Sequence, residues 1–250
     1  MRDMRTDSRQ AEETAPDVWG EVVQAYARGE DAAYAMRRED GFLDEMRSPA
    51  DYFDVRVSPQ EEEALQHARG RVLDIGCGPG RVLLYLQERG LAVTGIDSSP
   101  LTVEVARERG ARDVRLMSLT ELDFPAGSFE TALFFGNNFG LAGTLDATRD
   151  VLRRLHDVLS PDGAIIGQSC HATATERPEH LHYQAQNRER GRYVGRVTIR
   201  MEFGGKVSPW WDLLLLEKPV LEELLRESGW AVTHWIDGER AAYWAVTERA

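Results

Sequence analysis

The sequence predicts an α/β fold, a mostly parallel sheet covered by helices, on three observations. Strand-like apolar runs alternate with helical segments over residues 71–170. The first of these runs ends in a glycine-rich turn, Gly76, Gly78 and Gly80, which opens a helix. The next run ends in Asp97. Because ligands bind at the carboxyl ends of parallel strands, the elements that predict the fold also predict a binding site.

Composition limits the classes of function. The chain has 250 residues and is 42% hydrophobic, which suits one α/β domain with elaborations. Its net charge of −12 argues against a nucleic-acid partner. No apolar run approaches the roughly 18 residues that span a bilayer, so no membrane partner is expected. Cys77 and Cys170 are too few for a disulfide framework or a metal site, and a cytoplasmic location is therefore predicted. The sequence leaves open whether the protein forms a homodimer.

The first 70 residues are predicted to precede the sheet as a separate unit. Residues 1–15 are polar, lack the apolar core of a signal peptide, and read as a flexible tail. Residues 16–70 read as a helical cap with helices from Pro16, over 31–46 and over 60–67. Two interpretations stay open for this cap: a packing element on the sheet, or a lid over the ligand.

The sheet is predicted strand by strand within a domain of residues 71–250. After the strand at Arg71, further strands are expected over residues 92–96, 114–117, 129–135 and 164–170, with a helix over 147–159. Residues 193–216 alternate apolar and polar side chains around a Gly-Gly turn, which predicts an inserted antiparallel hairpin on the substrate side. A helix ending at Gly229 and strands over 231–236 and 241–247 complete the chain.

The glycine spacing separates two kinds of nucleotide ligand. A carboxylate at Asp97 can accept hydrogen bonds from both hydroxyls of a ribose. A dinucleotide fingerprint requires G-x-G-x-x-G, whereas the glycines here stand at 76, 78 and 80 and Arg81 follows. The turn therefore suits a ligand that has a ribose but no pyrophosphate, and a nicotinamide oxidoreductase is the less favoured alternative.

Three segments resemble one family. Residues 72–80, Val-Leu-Asp-Ile-Gly-Cys-Gly-Pro-Gly, look like motif I of the class I S-adenosylmethionine-dependent methyltransferases. Residues 95–99 resemble their second motif, and residues 159–164 their late turn, with Asp162 in place of a glycine. The resemblance implies a Rossmann-like seven-stranded sheet, S-adenosyl-L-methionine as cofactor, Asp97 on its ribose, and Asp74 and Gly76 near its methionine part.

The same resemblance implies a set of cofactor-binding residues. These are Asp74, Gly76, Cys77, Gly78, Gly80, Asp97, Ser98, Ser118, Leu119, Gly136 and Asn137. The positions of Tyr52 and Arg56, and not the resemblance, lead to the hypothesis that these two side chains close over the cofactor carboxylate. One position departs from the family pattern, because Met117-Ser118-Leu119 stands where Gly-Asp-Ala is usual. Ser118 can still accept a hydrogen bond from the adenine amino group.

The cap and the hairpin resemble those of small-molecule methyltransferases, which implies a small-molecule acceptor and a role in natural product biosynthesis. The reaction would be an in-line displacement at the sulfonium methyl group by a nitrogen or oxygen nucleophile. His171, His182 and Tyr183 are the catalytic candidates, since a hydroxyl acceptor usually needs a base; His180 is a weaker candidate. A catalytically silent protein that binds the cofactor remains an alternative.

Overall fold

The computed structural model describes residues 15–44 and 46–250. Its helices are α1 (Val18–Ala27), α2 (Ala50–Phe53), α3 (Pro59–Leu65), α4 (Arg81–Glu88), α5 (Pro100–Glu108), α6 (Leu145–Val158), α7 (Pro178–Glu189) and α8 (Lys218–Glu227), with a 3₁₀ turn over Asn138–Gly140. Its strands are β1 (Ala35–Arg38), β2 (Arg71–Ile75), β3 (Ala92–Asp97), β4 (Val114–Leu116), β5 (Phe129–Phe134), β6 (Leu159–Cys170), β7 (Arg196–Phe203), β8 (Lys206–Val207), β9 (Trp211–Leu214), β10 (Trp230–Asp237) and β11 (Ala242–Arg249). The tail predicted over residues 1–15 lies outside the described residues, except for Ala15.

A seven-stranded sheet forms the centre, in the order β10-β11-β6-β5-β2-β3-β4. Strands β2 to β6 pair in parallel, whereas β11 is antiparallel to both of its neighbours. The α/β class and the seven mostly parallel strands predicted from the sequence are thus confirmed. In the part of the chain that the structure describes, no helix is long and apolar enough to cross a bilayer.

Strand β2, next to the middle strand β5, is buried on both faces. Leu73 and Ile75 belong to one hydrophobic cluster, which packs under α6 and α8, while Val72 belongs to another under α4. Successive side chains of a strand point to opposite faces, so a continuous apolar run is what a strand covered by helices on both sides requires. The strand order places the carboxyl end of β2, and the glycine turn after it, between β5 and β3 and near the middle of the sheet edge.

A second sheet stands beside the first and is antiparallel. Strand β7 pairs with β1 along one edge and with β8 and β9 along the other. The hairpin predicted over residues 193–216 is therefore present, but its return strand is interrupted by Ser208-Pro209-Trp210, where a proline offers no N–H to the ladder. β1 comes from the N-terminal segment, so the hairpin and the cap share one sheet.

Two predictions of local structure are wrong. The helix expected over residues 31–46 is instead β1 and its flanking bridges, because Tyr34 and Arg47 exchange backbone hydrogen bonds and β1 pairs with β7. In addition, α7 is a helix that the sequence pattern does not predict, because its buried residues include the polar Gln184 and Asn187, which weakens the apolar periodicity. β6 starts at Leu159, before the predicted strand, since the late turn forms an irregularity within it.

The contact between the 3₁₀ turn and β9 of the second sheet yields a stability prediction at Gly140. Replacing Gly140 by Ala should lower the free energy of unfolding by more than about 3 kcal/mol, because the added Cβ would overlap the backbone carbonyl of Leu214, which no side-chain rotation relieves. Urea denaturation measures the change.

Gly191→Ala is the matched control. Gly191 also lacks a side chain, at φ +66° in open space, so its replacement should cost only about 1–2 kcal/mol. Equal losses in the two variants would contradict the close packing of Gly140 against β9.

Candidate active site

The turn after β2 is built from glycines in the left-handed region. Gly76, Gly78 and Gly80 have φ of +70°, +54° and +87°, a conformation that costs other residues about 1–2 kcal/mol. Gly80 is the N-cap of α4, which begins at Arg81. The first turn of that helix leaves backbone N–H groups without helical partners, directed towards the edge of the sheet.

Neighbouring strands hold this turn in place. The N–H groups of Gly76 and Cys77 donate to the carbonyl of Ile96 in β3, at 2.9 and 3.0 Å. From the other side, the Asn138 side-chain amide donates to the carbonyls of Ile75 and Gly76, at 2.8 and 2.9 Å. A Cβ on Gly76 would lie 2.6 Å from the Asn138 amide nitrogen, so only glycine admits this brace. The turn is therefore rigidly positioned between β3 and β5.

Cys77 has a packing role within the turn. Its side chain is buried against Gly95 of β3, where a Cβ would lie 2.7 Å from the Cys77 sulfur. Burial raises the pKa of the Cys77 thiol, and the nearby carboxylates of Asp74 and Asp97 raise it further. The thiol is thus kept protonated and unreactive.

Asp97 faces the turn from the end of β3. Its Oδ2 accepts a hydrogen bond from the Gly78 N–H at 3.0 Å, and its Oδ1 accepts one from the Ser99 N–H at 2.9 Å. Burial raises the pKa of Asp97, while these two hydrogen bonds oppose that rise. A carboxylate has about four lone-pair positions, so Asp97 can accept two further hydrogen bonds from a ligand.

Asp74 is the most perturbed carboxyl group of the site. The residue is only 2% exposed, and its Oδ2 has no hydrogen-bond partner among the described residues. Burial raises the pKa of Asp74 to about 7; the charge of Arg81 opposes this rise and that of Asp97 adds to it. A buried acceptor without a partner is costly to keep. It marks a position where a ligand with a hydrogen-bond donor or a positive charge would be stabilised.

One cavity of about 1830 Å³ opens above this edge of the sheet. Twelve of the predicted cofactor-binding residues line it: Tyr52, Arg56, Asp74, Gly76, Cys77, Gly78, Asp97, Ser98, Ser118, Leu119, Gly136 and Asn137. Gly80 does not line the cavity; it is the N-cap residue of α4. The volume exceeds the roughly 300–1,000 Å³ of a site for one small ligand, so the cavity has room for two.

Tyr52 and Arg56 lie on the cap side of the cavity. The Tyr52 ring packs edge-on against Trp19 of α1, with ring centroids 4.8 Å apart. The Arg56 side chain is 88% exposed and hydrogen-bonds to Asp54 at 2.5 Å. Arg81, at the start of α4, is bound instead to Glu61 of α3 at 2.5 Å. Both arginines therefore already have carboxylate partners.

The structure separates the predicted catalytic residues. His171 lies outside the cavity lining, where its Nδ1 is 2.6 Å from Oε2 of Glu217 at the start of α8. His182 also lies outside and pairs with Gln186. Tyr183 lines the cavity, but its hydroxyl already donates to Glu39 and accepts from the Thr198 N–H.

His180 lines the cavity on the same helix, α7. Its Nδ1 lies 3.1 Å from the Thr175 hydroxyl, and its ring packs edge-on against Phe42. Burial lowers the pKa of His180, and the charges of Arg177 and Arg38 add to this effect. The imidazole is therefore kept neutral at physiological pH and can accept a proton. Within residues 15–44 and 46–250, no group of three or more His, Cys, Asp or Glu side chains could hold a metal ion.

Sequence reasoning missed Asn138 as a functional residue. The residue directly follows Asn137, which was predicted, and both come after the carboxyl end of β5. Asn137 itself is committed to the scaffold, since its amide donates to the Leu214 carbonyl and its Oδ1 accepts from Ser169. The position of Asn138 at the same sheet edge as the glycine turn was the signal that could have identified it.

Comparisons with known proteins agree with this geometry. Residues 72–163 match the family described as "Methyltransferase domain". A solved SAM-dependent methyltransferase from Bacteroides fragilis, in complex with S-adenosyl-L-homocysteine, is 27% identical with a TM-score of 0.80, and the match covers 94% of this chain and 95% of that one.

Two curated relatives match shorter stretches. Malonyl-[acyl-carrier protein] O-methyltransferase of Salmonella typhimurium is 36% identical over 95 residues, 38% of this chain and 36% of the relative. Demethylmenaquinone methyltransferase of Thermus thermophilus is 33% identical over 110 residues, 41% and 48% of the two chains. The chain spans about half the length, or less, of the first curated relatives that it matches.

The raised pKa of Asp74 predicts a stability that depends on pH. Between about pH 4, where a free aspartate ionises, and about 7, the folded protein holds a proton that the unfolded chain has released. The free energy of unfolding therefore falls as the pH rises through this window, and Asp74→Asn removes the effect. From pH 5 to pH 8 the variant should gain about 3 kcal/mol relative to the wild type in urea denaturation. A difference that stays constant with pH would contradict the assignment.

Proposed function

We propose that the chain is a class I S-adenosylmethionine-dependent methyltransferase, and that it transfers the methyl group of S-adenosylmethionine to a nitrogen or oxygen nucleophile of a small molecule. The observation that carries this proposal is the meeting of the braced glycine turn, Asp97 and the partnerless Oδ2 of Asp74 in one large cavity. The cofactor occupies the part of the cavity above the turn.

The residues of the turn suit the cofactor group by group. Asp97 retains lone pairs for the ribose hydroxyls after binding the N–H groups of Gly78 and Ser99. Asp74 supplies a negative charge for the positively charged amino group of the methionine part. Ser118, beyond β4, lines the same cavity and accepts from adenine. Each of these groups is positioned by backbone at the end of a strand, so little reorganisation accompanies binding.

For the methyl transfer itself, the protein mainly has to align the acceptor with the methyl group and exclude water. The sulfonium is an activated leaving group, so the acceptor atom attacks the methyl carbon in line and the carbon–sulfur bond breaks as the new bond forms. S-adenosylhomocysteine is the other product. An amine needs only its neutral form, whereas a hydroxyl must also lose its proton.

The acceptor is a small molecule in this proposal because the cap and the second sheet enclose the cavity beside the cofactor region. The Salmonella and Thermus relatives are named for acting on malonyl-[acyl-carrier protein] and on demethylmenaquinone, so related sequences serve different acceptors. The cytoplasmic location, the role in natural product biosynthesis and the homodimer stay predictions from the sequence.

Binding of S-adenosylhomocysteine tests the cofactor assignment. Asp97→Asn should weaken this binding about 10- to 100-fold in titration calorimetry, because hydrogen bonds to a charged group contribute about 1.5–3 kcal/mol. Asp113→Asn is the matched control: Asp113 precedes β4, at the opposite edge of the sheet, and binds Arg115 and Thr94. The affinity of the Asp113→Asn variant for S-adenosylhomocysteine should equal that of the wild type. Tight binding of NAD without binding of S-adenosylhomocysteine would refute the proposed function.

His180 is the side chain that we assign as proton acceptor for a hydroxyl nucleophile. It is the histidine that lines the cavity among the described residues, and burial favours its neutral form. His171 does not share this position, because its imidazole is held by Glu217. Tyr183 is held by two hydrogen bonds and serves as part of the wall.

A pH profile tests this assignment once labelled S-adenosylmethionine has identified an acceptor. For a hydroxyl acceptor, His180→Asn should lower kcat about 100-fold and remove the fall in rate on the acidic side of the profile. His182→Asn, on the same helix but outside the cavity, should leave both unchanged. An unaltered acidic limb in the His180 variant would show that another group takes the proton.

A further inference from the structure

The two faces of the second sheet differ in chemistry. Its outer face is polar and carries interlocked ion pairs: Arg37 with Glu202 at 2.6 Å, Arg200 with Glu202 at 3.0 Å, and Arg196 with Asp212 at 2.5 Å. These carboxylates and guanidinium groups pair with one another, although the buried Nε of Arg196 has no hydrogen-bond partner among the described residues. The outer face of this sheet is thus occupied by charged pairs.

The inner face is apolar except for Arg38 of β1, and it is open to the cavity. We call it the apolar wall; its members are Met36 of β1, Val197, Ile199 and Met201 of β7, and Trp211 and Leu213 of β9. The strand register places Met36 opposite Met201, Ile199 opposite Trp211, and Val197 opposite Leu213. The six side chains thus form one continuous surface. All except the buried Met201 are only partly buried.

The charged groups around the apolar wall are already neutralised. Arg38 lies on the same face, opposite Ile199 in the strand register. Its guanidinium makes two hydrogen bonds to Asp40, at 2.9 and 2.8 Å, and one to the Glu179 carbonyl. Burial would raise the pKa of Asp40, but the hydrogen bonds from Arg38 hold it below its usual value. Arg47, further along the lining, is paired with Asp44.

The other arginines of the cavity lining belong to other elements than the second sheet. Arg81 is held by Glu61 of α3, and the exposed Arg56 pairs with Asp54. Arg240 lies in the turn between β10 and β11 of the large sheet. An anionic ligand on the apolar wall would have to displace Asp40 from the buried Arg38, which costs free energy.

We propose that the apolar wall binds the methyl acceptor, and that the acceptor is an uncharged hydrophobic molecule bearing a hydroxyl or amine group. This inference rests on the proposed function, since it places the acceptor beside the cofactor in the same cavity. Apolar surface is the feature that such a ligand covers, and burying it supplies the affinity. Acceptors with a carboxylate or phosphate on the part that meets this wall are disfavoured.

Two aromatic probes of nearly equal size test the charge preference. Calorimetric titrations of the protein saturated with S-adenosylhomocysteine compare 2-naphthol, which is neutral at pH 7.5, with 2-naphthoate, which is an anion. We expect 2-naphthol to bind at least about 10-fold more tightly, because the cation beside this wall, Arg38, is already paired with Asp40. Equal or tighter binding of 2-naphthoate would overturn the proposed acceptor class, and absence of binding by both probes would overturn the site.

Adjacent tryptophans provide a matched pair of variants that tests whether 2-naphthol binds on the apolar wall. Trp211 belongs to the apolar wall, whereas Trp210 is 45% exposed and lies under the guanidinium of Arg200, outside the cavity lining. Trp211→Ala should weaken 2-naphthol about 10-fold, through lost apolar contact, and Trp210→Ala less than about 2-fold. Equal losses in the two variants would overturn the location.

Further measurements separate a folding defect and a failed cofactor assignment from a failed inference. Val197→Thr keeps the volume of the side chain while adding a hydroxyl to the apolar wall, and should weaken 2-naphthol about 3-fold if the wall binds it. Unchanged affinity in this variant would count against the inference even if the Trp211 variant fails to fold. Wild-type protein that does not bind S-adenosylhomocysteine would refute the proposed function instead, and the naphthol titration would then be made on the free protein.

Discussion

The site depends on one constraint: a backbone turn without side chains is held between the ends of neighbouring strands. The carbonyl of Ile96 in β3 accepts two hydrogen bonds from the turn, and Asn138 beyond β5 donates two more to its carbonyls. Gly76 makes this possible, because a Cβ there would collide with the Asn138 amide. The turn, Asp97 and the start of α4 are thereby fixed as one unit, so their geometry follows from that of the sheet.

The N-terminal cap is tied to this unit through Asp17. Its Oδ1 accepts from the Gly20 N–H at 2.9 Å and so begins α1, while its Oδ2 accepts from the Ser99 hydroxyl at 2.7 Å. Ser99 in turn accepts from the Thr102 N–H at the start of α5. The helix that contributes Trp19 to the cavity wall is thus linked to the segment directly after Asp97. The cap therefore packs on the large sheet and also lines the cavity. Its action as a lid over the ligand stays a prediction.

The second sheet contains strands that local sequence patterns do not predict. Its strands β1 and β7 lie far apart in the chain, as the ion pair between Arg37 and Glu202 across 165 residues illustrates. A segment whose strand partner is so distant carries little local evidence of it, and residues 31–46 were read as a helix for this reason. The hairpin of residues 193–216 was predicted correctly because its two arms are joined by a short Gly-Gly turn.

The sequence by itself determined the large sheet and the glycine turn at its edge, because both are encoded in short stretches. A buried strand needs only a short apolar run, and the turn after it needs glycines at Gly76, Gly78 and Gly80 where φ is positive. Only the tertiary structure decided which side chains of the cap, the second sheet and α7 line the rest of the cavity. His180 and His182 are two residues apart, yet a helix turns by about 200° between them, so one lines the cavity and the other does not. Which face of α7 meets the cavity depends on packing between distant segments, and the local sequence does not encode it.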